Sequence, residues 1–227
     1  AVRGGQPEFF DEHLTRMAQS CATIGIGLPP VNYIAVVKML LSANELSDAV
    51  IRITVTRGPA PRGLLPPDNL KPTILITTAP LPPALPPARC IIATVTRRNE
   101  HSPLSRIKST NYLDSILARQ EATAKGADEA ILLNTSGNVA EATAANVFIV
   151  KNGKVFTPPT ADGALPGIMR AAIIRKTSAT EQSLSPEDLL NADEIFLTSS
   201  ISMRSVTTLE SRMVGDGKTA IAHKLKN

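Results

Sequence analysis

The chain has 227 residues, 43% of them hydrophobic, with a formal net charge of +4 and a mean hydropathy of +0.04. That is length enough for a substantial core in one large domain or two smaller ones. The longest apolar run, 34–41, is broken by Lys38 and falls far short of the roughly 20 residues of a membrane span, while two Tyr, five Phe and scattered basic residues argue against nucleic-acid binding.

The opening Ala1-Val2-Arg3-Gly4-Gly5 reads as mid-strand entering a turn, with no signal-peptide pattern. Residues 10–24 carry Phe10, Leu14, Met17, Cys21 and Ile24 at spacings of three or four, which predicts a helix with Asp11 as N-cap and Gly25 as stop. A second helix is expected over 31–42. Strands are expected over 49–56, rich in β-branched residues, and over 73–78. Five prolines fall within 79–87, a composition that favours a stiff extended connector. The expected division is a first domain over 1–79, a connector over 80–87 and a larger domain over 88–227.

Beyond the connector, 90–95 reads as a strand and 109–125 as a helix stopped by Gly126. A strand over 129–134 leads into a turn at 135–138. Asn152-Gly153 sits between two apolar runs, the strongest short-range hairpin signal. A helix is expected to begin near Pro166, and a late strand over 194–198. Strands and helices mix without regular βαβ alternation, so the expected class is α+β. Cys21 and Cys90 read as reduced thiols in a cytoplasmic setting. His13, His101 and His223 are scattered, with no metal-ligand spacing.

Three segments carry chemistry. Lys108, in Arg106-Ile107-Lys108-Ser109-Thr110-Asn111-Tyr112, is flanked by residues that favour a partly buried amine, which lowers its pKa toward nucleophilic use. Tyr112 falls one helical turn later. Glu141 lies among Val139, Ala140, Ala142 and Ala144, where a carboxylate needs a partner. Leu165-Pro166-Gly167-Ile168 combines Pro and Gly at a helix start, the composition of an anion site. Thr198-Ser199-Ser200 offers hydroxyls at a strand end, and Arg62, in a Gly/Pro loop, has the geometry to clamp a carboxylate. An amine, an acid for a ring nitrogen and a phosphate cradle are what pyridoxal phosphate chemistry requires.

Together these segments resemble the class IV (fold type IV) pyridoxal-phosphate aminotransferases, the group of branched-chain and D-amino-acid aminotransferases and 4-amino-4-deoxychorismate lyase. The resemblance runs from Arg3-Gly4-Gly5 through His13-Leu14-Thr15-Arg16 to about Gly217. It implies a two-domain α+β fold, with a small N-terminal α/β domain, a larger barrel-like α/β domain, and pyridoxal 5′-phosphate bound where the domains meet. It implies that Lys108 attaches to the cofactor and acts in catalysis, that Glu141 pairs with the pyridine nitrogen, and that Tyr112 bonds near the phenolic oxygen. Arg16, the backbone of Ile168 and Met169, and one of Ser199 and Ser200 are implied to hold the phosphate. Arg62 is the implied substrate-binding residue, amino acids and 2-oxo acids the implied substrates, and a homodimer the implied assembly.

The sequence also departs from the family pattern. The family's opening strand and its Gly-Asp-Gly segment have no counterpart before Ala1, so the expectation is that these residues are part of a longer protein. The 175–185 connection is short, and 201–206 is about one residue short. Leu64 stands where D-amino-acid aminotransferases tend to have His. The leading expectation is amino transfer. The alternatives are 4-amino-4-deoxychorismate lyase, releasing pyruvate and 4-aminobenzoate, and a truncated relative that binds cofactor without turnover.

Overall fold

A computed structural model describes residues 1–69, 71–217 and 219–226, which form two compact units, Ala1–Pro83 and Ala84–Asn227. The division falls inside the proline run.

In the first unit, β1 (Val2–Arg3) and β2 (Gln6–Pro7) precede α1 (Phe10–Thr23), α2 (Tyr33–Ala43), β3 (Ala49–Thr56) and β4 (Thr73–Pro80). The strands form an antiparallel sheet in the order β2-β1-β3-β4. Val2, Val37, Leu41 and Ala49 are buried at its core, with Phe10, Ile51 and Ile76 packed around them. The N-cap of α1 is Phe9, in the left-handed region at φ 51°, and not the expected Asp11, which lies in the first turn. There its charge still favours the positive end of the helix dipole. Gly25, at φ 68°, ends the helix, and Ile26 N donates to Cys21 O at 2.8 Å. The second helix starts at Tyr33 because the Asn32 side chain caps it, accepting from Ala35 N at 3.2 Å. The last strand runs on to Pro80. It is an edge strand, where a missing N–H is tolerated.

The second unit contains β5 (Ala88–Ile92), α3 (Leu113–Ala124), β6 (Glu129–Leu133), β7 (Val139–Ala142), β8 (Asn146–Lys151) and β9 (Lys154–Thr157). It continues through α4 (Ile168–Thr177), β10 (Thr180–Glu181), α5 (Pro186–Leu190), β11 (Glu194–Thr198), β12 (Met203–Leu209), β13 (Arg212–Met213) and α6 (Ala220–Lys226). Nine strands make one mixed sheet in the order β10-β9-β8-β11-β12-β5-β6-β7, with β13 added on β12. The sheet curls as a half-barrel, so that β7 comes beside β8.

The apolar runs Val147-Phe148-Ile149-Val150 and Ile195-Phe196-Leu197 belong to strands buried on both faces. Val147, Ile149, Ile195 and Leu197 point into one core with Leu184 and Leu189. Phe148, Val150 and Phe196 point into another, covered by Ile173 of α4 and Ala222 of α6. Phe148 and Phe196 face each other in register and stack with centroids 5.0 Å apart. Truncating either to Ala removes about 3–5 kcal/mol of stability. Asn152 and Gly153 both have positive φ, 52° and 72°, as a type I′ hairpin turn requires.

Two further elements depart from their expected bounds. The strand expected over 90–95 runs instead from Ala88 to Ile92, and the helix expected from Ser109 begins at Leu113. Asn111 N donates to Ser109 Oγ at 3.3 Å, a local bond that competes with helix formation. No helix among the described residues is long and apolar enough to cross a membrane.

Candidate active site

Lys108 follows a short 3-10 turn, Pro103–Arg106, after which Ile107 adopts extended geometry at φ −114° and ψ 151°. Alternation then turns Ile107 inward, 8% exposed, and Lys108 outward. The amine is therefore exposed in this chain, contrary to the partly buried setting its neighbours predict. Its Nζ hydrogen-bonds Tyr112 Oη and lies 5.1 Å from that ring's centroid. The two residues meet as expected, but across a non-helical loop.

Glu141 sits in β7, paired with Leu132 of β6. Its Oε2 accepts from Leu165 N at 2.9 Å and its Oε1 lies 3.1 Å from Arg98 Nη2. Burial pushes its carboxyl above the ordinary range, and Arg98, the Leu165 N–H and Lys108 pull against that shift. The Lys108 charge is the smallest of these influences on Glu141. Arg98 is fixed in turn: its N donates to Leu133 O at 2.9 Å, its Nη2 to Ser105 O at 2.9 Å and its Nε to Gly163 O at 3.3 Å.

The helix α4 begins at Ile168 with Gly167 as N-cap and no side-chain cap. The first-turn N–H groups, those of Ile168 and Met169, have no acceptor within the helix by geometry. The preceding loop is braced by Asn146, whose Nδ2 donates to Leu165 O at 2.9 Å. A Cβ on Gly167 would lie 2.1 Å from Asn146 Oδ1. Thr198, opposite Asn146 in the β8–β11 register, has a buried Oγ1 without a hydrogen-bond partner. Ser199 Oγ is taken up in the next turn, accepting from Ser202 N at 3.2 Å and Ile201 N at 3.3 Å. Ser200 follows it, half-buried.

The second unit therefore carries Lys108, Tyr112, Glu141, Ile168, Met169, Ser199 and Ser200. Arg16 and Arg62 belong to the first unit, Arg16 half-buried on α1 and Arg62 exposed on the β3–β4 loop. Arg98 and Asn146 are the site residues that sequence reasoning missed, whereas Thr198 was already read with Ser199 and Ser200 as a hydroxyl at a strand end. Asn146 carried one signal, a polar side chain opening a strand otherwise buried on both faces, and Arg98, outside any named strand, carried none. Cys21 and Cys90 are free and buried, and burial pushes the Cys90 thiol to about 12, far from thiolate chemistry.

These residues fit pyridoxal phosphate. An acid buried beyond the compensation of its partners suits a protonated ring nitrogen. An uncapped helix start and an orphaned buried hydroxyl, that of Thr198, suit a phosphate.

A half-barrel α+β fold with this site defines a fold type IV pyridoxal-phosphate enzyme. Residues 1–209 match the family described as amino-transferase class IV. A Methanocaldococcus jannaschii protein bearing a provisional branched-chain-amino-acid aminotransferase name is 37% identical over 226 residues, which is 95% of this chain and 78% of the relative. The D-alanine aminotransferase of Bacillus licheniformis is 30% identical over 216 residues, 92% of this chain and 76% of the relative. Among solved structures, a provisionally assigned 4-amino-4-deoxychorismate lyase of Legionella pneumophila matches with a TM-score of 0.92 at 31% identity, covering 99% of this chain and 86% of that one. The chain belongs to the class IV aminotransferases, and it is a pyridoxal-phosphate-dependent transferase of amino groups.

Proposed function

We propose that this protein exchanges an amino group between an α-amino acid and a 2-oxo acid, with Lys108 as the catalytic amine. The observation that carries this reading is the placement of Glu141, held by Arg98 on one oxygen and by the Leu165 N–H on the other, directly before the uncapped start of α4. When bound, pyridoxal phosphate supplies an electron sink for negative charge at the substrate's α-carbon. Lys108 Nζ takes the α-proton and returns it, as general base and then acid. Tyr112 Oη, bonded to that Nζ, orients it. Glu141 holds a proton on the ring nitrogen, and Arg98 keeps the Glu141 carboxylate in place. The N–H groups of Ile168 and Met169, the Thr198 hydroxyl and one of Ser199 and Ser200 hold the phosphate. Arg16 adds a phosphate contact, and Arg62 binds the substrate carboxylate. A homodimer in the cytoplasm is the assembly and setting we assign.

The Legionella likeness favours a second reading, elimination of pyruvate from 4-amino-4-deoxychorismate, which uses the same amine and acid. Two assays separate them. Incubation with single D- and L-amino acids, followed by conversion of the bound pyridoxal form to the pyridoxamine form, tests transfer. Release of 4-aminobenzoate from 4-amino-4-deoxychorismate without an amino acceptor tests the lyase. Visible pyridoxal absorbance that survives in Lys108→Ala rules out Lys108 as the attachment point in either case.

A further inference from the structure

We propose that Asn146 is a positioning residue that couples Glu141 to the phosphate-binding start of α4. The coupling runs through Leu165. Its N–H is held by Glu141 Oε2 at 2.9 Å, and its carbonyl is held by Asn146 Nδ2, also at 2.9 Å. The same carbonyl accepts from Gly167 N at 2.7 Å, so the residue that anchors the acid also shapes the N-cap of α4. Asn146 is only 6% exposed and is locked to β11 by the strand pairing opposite Thr198. It is therefore a fixed point, and the loop hangs from it.

Gly167 shows how closely the two fit. Its backbone, at φ −71° and ψ 139°, is one that any residue adopts, so conformation does not demand glycine here. What excludes a side chain is the Asn146 amide, 2.1 Å from where a Cβ would stand. Pro166 stiffens the link between Leu165 and Gly167, having no free φ and no N–H to lose. A shift of the Asn146 side chain must move Leu165, and with it both Glu141 and the first N–H groups of α4.

The proposal rests on the reading of Glu141 and α4 as two ends of one cofactor site. Its test uses two readouts on the full chain. The advantage of pyridoxal phosphate over pyridoxal in binding isolates the phosphate end, and the pH midpoint of the visible absorbance reports the acid end. Asn146→Ala is expected to cut the phosphate advantage about tenfold. It should also move the pH midpoint in the same direction as Glu141→Gln. Movement of one readout alone, or of neither, overturns the coupling.

Gly167→Ala probes the same contact without removing a buried polar group, so it serves even where Asn146→Ala does not fold. It is expected to move both readouts, and to add little in the Asn146→Ala background, where the amide no longer blocks the Cβ. Full additivity of the two substitutions also overturns the proposal. Absence of Lys108-dependent absorbance in the otherwise unaltered chain defeats the cofactor reading itself and the coupling with it. Lys108-dependent absorbance with Asn146→Ala unchanged in both readouts defeats the coupling alone.

Discussion

Arg98 and Glu141 form an ion pair, Nη2 to Oε1 at 3.1 Å, with side chains only 19% and 13% exposed. The guanidinium also reaches carbonyls at Ser105 and Gly163, so one side chain gathers the 3-10 turn before Lys108, the loop before α4 and the acid in β7. The pair is thus a junction of three segments as well as a charge contact.

Removing the cation from that junction leaves a shielded carboxylate without its main counter-charge. Arg98→Met is expected to destabilise the chain by about 2–4 kcal/mol. Urea unfolding of Arg98→Met, Glu141→Gln and the double variant provides the check. A double variant more stable than Arg98→Met alone is the expected result. Simple additivity of the two losses would mean that the pair is not energetically coupled.

The titration of Glu141 sets a pH dependence of the cofactor-free protein. Burial raises its carboxyl pKa, so the folded chain binds this proton more tightly than the unfolded chain does. That contribution to stability is complete below the ordinary carboxyl pKa and is lost as pH rises through the raised value. Glu141→Gln abolishes the titration. The stability of the variant relative to the original, followed by urea midpoints, should therefore improve as pH rises from the ordinary carboxyl pKa through the raised value. A constant difference across that window contradicts the raised pKa.

Glu100 titrates in the opposite sense. Its carboxylate accepts from Thr135 N and Oγ1 at 3.0 and 2.8 Å, and from Ser136 N and Oγ at 3.2 and 2.9 Å. The Thr135 backbone N–H is the largest of the influences that bring its pKa down from 4.5 to about 2. Stability from this clamp is present above the ordinary carboxyl pKa and is lost as pH falls through about 2. Glu100→Gln should lower the Tm near neutral pH, with the deficit shrinking as pH drops from 4.5 toward 2. The thermal scan at each pH is read against Glu121→Gln. Glu121 is pushed up by burial, yet Lys125, Thr94 and Val95 hold it at about 2, so it shares the window.

How much of this was legible in the sequence depends on the range of the interaction. The strand at 49–56 and the one at 194–198 follow from β-branched and apolar runs, and the Asn152-Gly153 turn from local backbone preference. Lys108, Glu141 and the start of α4 stood out because each sits in a local context with a chemical meaning. Arg98 and Asn146 did not, since their partners lie 43 and 19 to 21 positions away and only the fold brings them together. The exposure of Lys108 escaped for a related reason. Its apolar neighbours read as burial, but extended geometry at Ile107 sends alternate side chains to opposite sides.

Tyr112 offers the sharpest separation of chemistry from stability. Its hydroxyl bonds Lys108 Nζ in a loop where Lys108 is exposed and Tyr112 half-buried. Removing one such bond changes folding stability by about 1 kcal/mol or less. The same bond orients the amine that moves the α-proton, and a misdirected base loses far more in rate than the protein loses in stability. Tyr112→Phe is expected to reduce kcat by about tenfold or more, with the urea midpoint nearly unchanged and pyridoxal phosphate still attached at Lys108. Steady-state kinetics beside urea unfolding and the visible spectrum make the test. A variant with undiminished kcat would show that the phenol is a packing neighbour of Lys108 and does not orient it.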